Sequence, residues 1–383
     1  NYLHLIVYRI DLQHIMKSQK HLFDLDPSIT YLNCAFMSPL MKSVENAGIA
    51  GIRKKFQPNH ISRDDFFSES NALRAEFAKL INCHEPNRIV IIPSASYGLA
   101  NVANNLQLAQ GDEIIVMDEQ FPSNVYPWMN IAKKSGAIIK PVFAPKINTK
   151  RGEVWNQQIL EAITSKTKLI ACGNIHWADG TLFDLLSIRK KSREVGAWLV
   201  IDGTQSIGAL PFDIQKIQPD ALIASGYKSM MGPYSIGMAY YGTALDSGSP
   251  IEENWINRYD SENFSNLVNY NEHYQPKALR YEVGEHSNFI LVPMLLEALK
   301  VLNEIGIQNI KTYCDNMVQS ASENLKEHGF WIEDKEYRAS NLFGIRLPTN
   351  LSMNDIKSRL TKSNIIVSYR GDCIRISPNI YNT

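Results

Sequence analysis

The sequence predicts an α/β fold, with a large domain whose mostly parallel sheet is sandwiched by helices and a smaller α+β domain. Short apolar runs alternate with helical patterns between about residues 88 and 225, as in parallel strands joined by crossover helices. The length of 383 residues suits one large domain and a smaller one. The predicted divisions are an N-terminal extension (1–27), a segment contributing to the small domain and the site entrance (28–55), the large domain (56–285) and a C-terminal small domain (286–383).

Composition excludes several classes of function. The 39 basic and 39 acidic side chains cancel, so neither a nucleic-acid partner nor a membrane partner is expected. The five cysteines are scattered without CxxC spacing, which argues against a disulfide framework and a metal site and favours a reducing, cytoplasmic compartment. The apolar run at residues 1–10 is too short to span a bilayer, and the first fifteen residues are interpreted as an upstream extension.

The first elements are a strand running into a turn at residues 31–39 and two helices, at about 42–55 and 64–82. Ser62, followed three residues later by Asp65, has the spacing of a capping box at the start of the second helix.

A buried strand at residues 89–93 leads directly into the small and hydroxyl residues 94–98 and then into a helix. Free backbone N–H groups and the helix dipole make such a junction suitable for a phosphate. Ser also caps helices for purely structural reasons, so the pattern alone is compatible with both interpretations.

The next two predicted strands, at residues 112–117 and 168–173, are followed by loops with aromatic residues. Phe121 lies in the first loop, and it suits either ring stacking or ordinary core packing. Trp177 lies in the second loop between His176 and Asp179, each of which suits a structural role as well as a functional one. A helix at 184–195 then returns the chain to the sheet.

Two further strands end on a carboxylate and near an amine. The apolar run 198–201 ends on Asp202, and the run 220–225 ends three residues before Lys228. Open α/β sheets bind ligands beyond the carboxyl ends of their strands. A lone lysine after a strand is usually a surface charge, so the spacing of the neighbouring residues has to decide whether Lys228 has a functional role. A further strand is predicted at 236–241.

Asp202-x-x-Gln205 followed by Ser225-Gly-Tyr-Lys228 resembles the cofactor segment of the fold-type I pyridoxal-phosphate enzymes. The resemblance is to the class V aminotransferase family, which includes cysteine desulfurases, selenocysteine lyases, kynureninase and isopenicillin N epimerase. It implies that Lys228 forms a Schiff base with pyridoxal 5'-phosphate and that Asp202 keeps the pyridinium nitrogen protonated. It also implies that Gln205 hydrogen-bonds the phenolic oxygen of the cofactor.

The same resemblance assigns five more cofactor contacts and suggests a homodimer. Ala95 and Ser96 correspond to the phosphate turn, with Ser225 adding a hydroxyl. Phe121 falls where the family stacks an aromatic ring on the cofactor, and Trp177 where it commonly has asparagine. Family members are generally homodimers, and the polar segment 242–279 resembles a surface or dimer-contact excursion.

Residues 280–284 match the family's R-[FY]-E-x-G turn, after which one residue reaches the phosphate of the neighbouring subunit. His286 or Ser287 is predicted to have this role, because Glu285 would repel a phosphate.

The C-terminal part is predicted to contain helices at 289–304, 308–328 and 353–362, strands at 330–334 and 342–347, and two short final strands. Its closing residues 375–383 resemble the family's RxSxxxYNT pattern, after which relatives continue into another helix. The resemblance makes Arg375 the group that binds the carboxylate of the substrate, with a structural ion pair as the alternative. Asn33 lies in a stretch similar to the family's YLDNAA-like site entrance and is assigned to the substrate.

The reaction is predicted to be transamination of a small amino acid. A lyase or epimerase resembling selenocysteine lyase or isopenicillin N epimerase is the alternative, followed by a kynureninase-like hydrolase and a binding protein without catalysis. Persulfide-forming desulfurase activity is disfavoured because Cys373, two residues before Arg375, lies on a predicted strand and not on a mobile loop.

Overall fold

The computed structural model describes residues 16–383, so the extension predicted over the first fifteen residues lies outside the described residues. Twelve strands are present in this range: β1 (Thr30–Tyr31), β2 (Ile89–Ile92), β3 (Glu113–Met117), β4 (Ile138–Val142), β5 (Thr167–Gly173), β6 (Trp198–Asp202), β7 (Ala221–Ser225), β8 (Gly237–Tyr241), β9 (Phe343–Arg346), β10 (Ile365–Ile366), β11 (Ser368–Arg370) and β12 (Cys373–Ile376).

Ten α-helices connect and cover these strands. None of the helices in residues 16–383 is both long enough and apolar enough to cross a membrane. They are α1 (Lys42–Lys54), α2 (Ser68–Leu80), α3 (Ala95–Asn105), α4 (Tyr126–Ser135), α5 (Arg151–Ala162), α6 (Leu185–Val195), α7 (Ile214–Ile217), α8 (Leu291–Ile305), α9 (Ile307–Glu327) and α10 (Met353–Lys362).

Seven strands form the central sheet in the order β2-β8-β7-β6-β5-β3-β4. Strands β4, β3, β5, β6 and β7 pair in parallel, whereas β8 is antiparallel to both of its neighbours. The predicted mostly parallel sheet is therefore confirmed. Since β2 runs in the direction of β7, the carboxyl ends of β2, β3, β5, β6 and β7 meet at one edge of the sheet, where ligands of such folds bind.

Helices cover both faces of this sheet because alternate side chains of its strands enter two separate cores. Leu199 and Leu222 belong to one core, and Val200 and Ile223 belong to the other. A strand buried on both faces has the continuous apolar sequence that identified β6 and β7.

A three-stranded antiparallel sheet, in the order β11-β12-β9, forms the centre of the C-terminal part. Its apolar face packs on α9, where Ile345 and Ile374 contact a cluster that includes Val318. The N-terminal segment joins this part, since β1 pairs with β10 and Asn33 bridges to Ser377.

Two local predictions are wrong. Ser62 donates its hydroxyl to the Asp65 carboxylate at 2.7 Å, but this contact lies at a 3-10 turn, Asp64–Phe66, and α2 begins only at Ser68. The intervening aromatic rings pack against Trp255 and Phe264, and this breaks the helix. Residues 330–334 form no strand, because only Trp331 pairs with Arg346 while Glu333 turns inward towards Arg151.

Candidate active site

A tight loop after β7 holds Lys228 at the carboxyl edge of the sheet. Residues 226–236 are closed by hydrogen bonds from Gly226 N–H to Ile236 O (2.8 Å) and from Gly232 N–H to Gly226 O (2.9 Å). A glycine is required at Gly208, because its φ is +95° and a Cβ there would lie 2.4 Å from the Ser229 carbonyl oxygen. The loop is thus packed against the turn after β6, and Lys228 is only 7% exposed.

Burial lowers the pKa of the Lys228 ammonium to about 8, since a charged amine loses solvation there. The carboxylate of Asp202 opposes this shift, and the guanidinium groups of Arg375 and Arg370 add to it. Near neutral pH a usable fraction of this amine is therefore unprotonated, unlike an ordinary lysine.

Lys228 opens into a cavity of about 370 Å³. The residues around it come from the N-terminal segment, from three loops at the sheet edge and from the C-terminal sheet. They are Ala35, Phe36, Met37, Phe121, Trp177, Tyr227, Lys228, Tyr234, Arg370 and Arg375. Of the residues predicted for the site, Lys228, Phe121, Trp177 and Arg375 are thus brought together around one space.

Two aromatic rings form one wall of this cavity. The ring of Phe121 lies 5.4 Å from Lys228 Nζ, and it meets the Trp177 ring edge to face with centroids 5.4 Å apart. The indole Nε1 of Trp177 donates to the Glu119 carbonyl oxygen at 2.6 Å, so the loop after β5 is tied to the loop after β3. Neither ring can transfer a proton to a substrate, because Phe121 has no polar group and the indole N–H is already used.

Arg375 lies on β12 and is 1% exposed, yet no carboxylate of the described residues pairs with it. Its Nη1 donates to the Trp177 carbonyl oxygen at 3.0 Å, and its Nη2 donates to Ser368 Oγ at 3.4 Å. Its Nε has no partner within residues 16–383. The structural ion pair considered from the sequence is therefore not formed within the described chain. Burial, followed by the charge of Arg370, lowers the pKa of this guanidinium to about 10.

Asn33 contacts the arginine indirectly. Ser368 Oγ donates to Asn33 Oδ1 at 2.6 Å, and the same hydroxyl accepts from Arg375. Asn33 is not among the residues that line the cavity, so it is placed to hold the arginine rather than to touch a ligand there.

Asp202, Gln205 and Ser225 lie at the ends of β6 and β7. The N–H of Thr204 donates to Asp202 Oδ1 at 3.0 Å, and the Thr204 hydroxyl oxygen accepts from Ser225 N–H at 3.1 Å. Gln205 is buried, and its Nε2 donates to the Ala35 carbonyl oxygen at 3.2 Å while its Oε1 has no partner within residues 16–383. An amide nitrogen has two hydrogens, so Gln205 retains one donor for another group.

Ala95 and Ser96 form the first turn of α3, directly after β2. Ser94 is the N-cap, and its Oγ accepts from Tyr97 N–H at 3.2 Å and contacts Ser96 Oγ at 2.9 Å. The first N–H groups of a helix have no intrahelical partners, and they carry the positive end of its dipole. This turn lies at the same sheet edge as Lys228 and offers donors to an anion.

His286 and Ser287 do not line the Lys228 cavity. His286 is 3% exposed, and both ring nitrogens have partners in the same chain: Arg74 Nη2 at 3.1 Å and the Phe66 carbonyl oxygen at 2.9 Å. Ser287 is half-buried and precedes the turn into α8. Within this chain, His286 is thus engaged in a buried cluster.

The centre of this cluster is the ion pair of Arg74 with Glu282, whose side chains are 6% and 2% exposed. Glu282 Oε1 also accepts the N–H of Ile91 at 2.8 Å, which anchors β2. Burial alone would raise the pKa of the Glu282 carboxyl, but Arg74 and His286 outweigh it and lower that pKa below its usual range.

Replacing Arg74 with methionine is expected to lower the free energy of unfolding by about 3–5 kcal/mol, because it leaves a buried carboxylate without its partner. Lys79→Met is the control, since its contact with Glu76 is largely exposed and worth at most about 1 kcal/mol. Urea titrations at pH 7 compare the two. Equal stabilities of the two variants would contradict this role of Arg74.

The contribution of Glu282 to stability depends on pH. Because its pKa is lower in the folded state than in the unfolded state, this contribution is fully present above the unfolded-state pKa and is lost as the pH falls through the folded-state pKa.

His176 and Asp179 form a second buried cluster, behind the Trp177 loop. His176 Nδ1 lies 3.0 Å from Asp179 Oδ1, and Arg151 Nη2 lies 2.9 Å from Asp179 Oδ2. Burial would raise the pKa of the Asp179 carboxyl, but His176 and Arg151 hold it well below its usual range. These contacts favour the structural interpretation for both residues, since they brace the loop that carries Trp177.

Cys373 lies on β12 as predicted and is 2% exposed. Burial raises the pKa of its thiol far above the usual value, which keeps the sulfur protonated and unreactive. It is not among the residues that line the cavity.

Sequence reasoning missed Tyr227, Tyr234 and Arg370 as cavity residues. The rings of Tyr227 and Tyr234 lie 4.6 Å apart, and Arg370 follows Ser368 on β11. A turn through Gly371, whose φ is +54°, joins β11 to β12. Recognising this Arg-Gly-Asp turn would have placed Arg370 opposite Cys373 and on the same face of the hairpin as Arg375.

A family model described as aminotransferase class-V matches residues 58–383. A Bacillus subtilis protein named uncharacterised aminotransferase YcbU is 26% identical over 97% of this chain and 95% of its own length. A probable cysteine desulfurase of Mycolicibacterium paratuberculosis is 28% identical over 69% of this chain and 37% of its own length. The apo structure of a cysteine desulfurase from Thermococcus onnurineus has a TM-score of 0.81, with 21% identity, and the match covers 96% of this chain and 95% of that one.

Proposed function

The chain belongs to the aminotransferase class-V family, and on this premise we propose that it transfers the amino group of a small amino acid, with its cofactor held at Lys228. The family is one of enzymes that depend on pyridoxal phosphate. The observation that carries the proposal is a single buried amine, of pKa about 8, which faces a cavity at the carboxyl edge of the sheet.

The residues that line the cavity, together with those at the carboxyl ends of β2, β6 and β7, fit pyridoxal phosphate. Lys228 offers an amine to its aldehyde, Asp202 an acid to its ring nitrogen, and Phe121 a face for its ring. The donors of the α3 turn, Ala95 and Ser96, and the hydroxyl of Ser225 suit its phosphate, and Gln205 retains a hydrogen for its phenolic oxygen. When bound, the cofactor supplies an electron-withdrawing ring that stabilises negative charge at the α-carbon of an amino acid.

The side chains of this chain then have separate tasks. Arg375 binds the α-carboxylate through a guanidinium that lacks any other anionic partner, and Asn33 with Ser368 fixes its orientation. With the cofactor bound, Lys228 Nζ would remove the α-proton of the amino acid and would then donate that proton to the cofactor, not back to the substrate. A base of pKa about 8 is suited to this work near neutral pH.

Transamination is favoured over elimination by the groups that are available for proton transfer. Expelling a leaving group requires an acid near the β-carbon of the substrate, whereas Phe121 occupies the position where relatives often have histidine. Transamination needs only the one base, Lys228.

A carbon–sulfur lyase is the second candidate, because relatives such as the M. paratuberculosis protein carry the name cysteine desulfurase. The buried and protonated thiol of Cys373 argues against a persulfide carried on that residue.

The two candidates differ in their need for a keto acid. The holoenzyme is mixed with a panel of amino acids, with and without 2-oxo acids. A transaminase turns over repeatedly only when both substrates are present, and an amino acid alone gives at most one equivalent of product per active site. Steady release of sulfide or pyruvate from an amino acid alone would instead support the lyase.

The pH at which Lys228 loses its proton gives a further prediction. Uptake of added pyridoxal phosphate by the apo protein is expected to become faster as pH rises, to reach half of its maximal rate near pH 8 and to level off above about pH 9, because only the neutral amine reacts. N-acetyl-lysine methylamide is the control, and its reaction should still accelerate at pH 10. A rate for the protein that keeps rising in parallel with the control would show that Lys228 has an ordinary pKa.

We also infer a homodimer. Support comes from the excursion 242–279, which exposes several large apolar side chains, among them Tyr259 (60%), Val268 (79%) and Tyr270 (97%). Several exposed large apolar side chains within one segment are typical of subunit contacts. Light scattering on the purified protein tests the inference, and a monomeric mass at micromolar concentration would contradict it.

A reducing, cytoplasmic setting is proposed as well. All five cysteines are free and buried, which is common for proteins that work among reduced thiols.

A further inference from the structure

The cavity at Lys228 has more positive charge than one amino-acid carboxylate requires. Three of the residues that line it are basic, namely Lys228, Arg370 and Arg375. None of its lining residues is acidic. The remaining wall is aromatic or apolar. One guanidinium is enough to bind one carboxylate in a bidentate pair, so the second arginine needs its own explanation.

Arg370 and Arg375 approach the same indole ring. Their guanidinium carbons lie 5.3 Å and 5.9 Å from the centroid of the Trp177 ring. The two positive charges repel, and the repulsion contributes to the lowered pKa of Arg375. Two positive charges in a cavity that is partly shielded from water raise the free energy of the protein unless an anion lies between or beside them.

No acid of the described residues supplies that anion. Arg370 donates only to the carbonyl oxygen of its neighbour Tyr369, at 2.6 Å. The nearby carboxylate of Asp372 is already paired with Arg346 Nε at 3.0 Å. Among the salt bridges of residues 16–383, none involves Arg370 or Arg375.

We propose that the substrate is an amino acid with a second anionic group on its side chain, and that Arg370 binds this group while Arg375 binds the α-carboxylate. The inference rests on the proposed function, since it takes the Lys228 cavity as an amino-acid site. The side-chain group is a carboxylate or a sulfur oxyanion, both of which accept the planar fork of a guanidinium.

Binding of small acids that lack an amino group tests the inference without any reaction. Calorimetry on the holoenzyme compares glutarate, which has two carboxylates, with valerate, which has one. Glutarate is expected to bind at least about tenfold more tightly, the contribution of one charge-assisted contact. Arg370→Gln should bring glutarate to the affinity of valerate and leave valerate binding unchanged.

Three variants keep the test interpretable. Arg370→Lys retains the charge without the fork, so its preference for glutarate should be intermediate. Arg375→Gln should weaken both acids, and Arg359→Gln, on the exposed side of α10, should change neither. Equal affinity of the wild type for both acids would overturn the inference. So would an Arg370→Gln variant that weakens both acids alike, because the two arginines would then share one carboxylate.

The inference and the proposed function can fail separately. The cofactor, when attached to a lysine amine, gives a violet absorbance band. A protein that shows this band but has no preference for glutarate refutes only the role of Arg370. A protein that prefers glutarate but takes up no cofactor refutes the proposed function and the amino-acid nature of the substrate, and leaves only the binding of a second anion at Arg370.

Discussion

Replacing Lys228 with alanine is expected to remove the violet absorbance band of the protein with pyridoxal phosphate and to abolish turnover. Two effects combine, since Lys228 is both the covalent attachment point and the base. Loss of an acid–base group alone lowers kcat by about 100-fold to 10,000-fold. The spectrum and the amino-acid-dependent turnover of the variant, after incubation with excess cofactor, measure the two effects.

Lys216→Ala is the matched control for this variant. Lys216 lies twelve positions earlier, is 74% exposed and contacts only Asp213, so neither its band nor its turnover should differ from the wild type. An unchanged spectrum in Lys228→Ala would mean that another amine holds the cofactor.

Replacing Arg375 with glutamine is expected to weaken amino-acid binding strongly while leaving the fold as stable as before, or more stable. Removing one partner of a buried charge pair costs about 2–5 kcal/mol, which corresponds to roughly 30-fold to 4,000-fold in affinity. The fold does not suffer, because the guanidinium is buried without a carboxylate of the described chain and therefore destabilises the protein in the absence of ligand. Titration of the cofactor absorbance with amino acid gives the affinity, and thermal unfolding without ligand gives the stability.

Arg151→Gln provides the contrast, because Arg151 is equally buried but pairs with Asp179. That variant is expected to unfold at a markedly lower temperature. If Arg375→Gln lost as much stability as Arg151→Gln, Arg375 would be a structural residue and the proposed substrate site would be wrong.

Most of the sheet could be predicted from sequence, because its central strands are buried on both faces. Such strands are continuous apolar runs, as in β6 and β7, and their ends locate Asp202 and Lys228 at one edge. The edge strand β4 gave no such signal. It contains Pro141, and Ile138 is 55% exposed, so neither an apolar run nor a clean alternation marks it.

The site was less predictable wherever contacts come from distant parts of the chain. The residues near Arg375 in the sequence do not indicate that it lacks a carboxylate partner, because its hydrogen bonds go to Trp177 and Ser368. The position after a motif predicts that His286 or Ser287 contacts a phosphate, whereas in this chain the ring of His286 is enclosed by Arg74 and Phe66. Local pattern gives the position of a residue along a strand or loop, but the fold decides which partners it meets.

The covalent position of the cofactor tests the central claim most directly. The protein is incubated with pyridoxal phosphate, reduced with borohydride and digested with trypsin, and the peptides are weighed by mass spectrometry. The account predicts one adduct, on Lys228, and a missed tryptic cleavage after that residue. An adduct on another lysine, or cofactor that is bound but never attached, would contradict it.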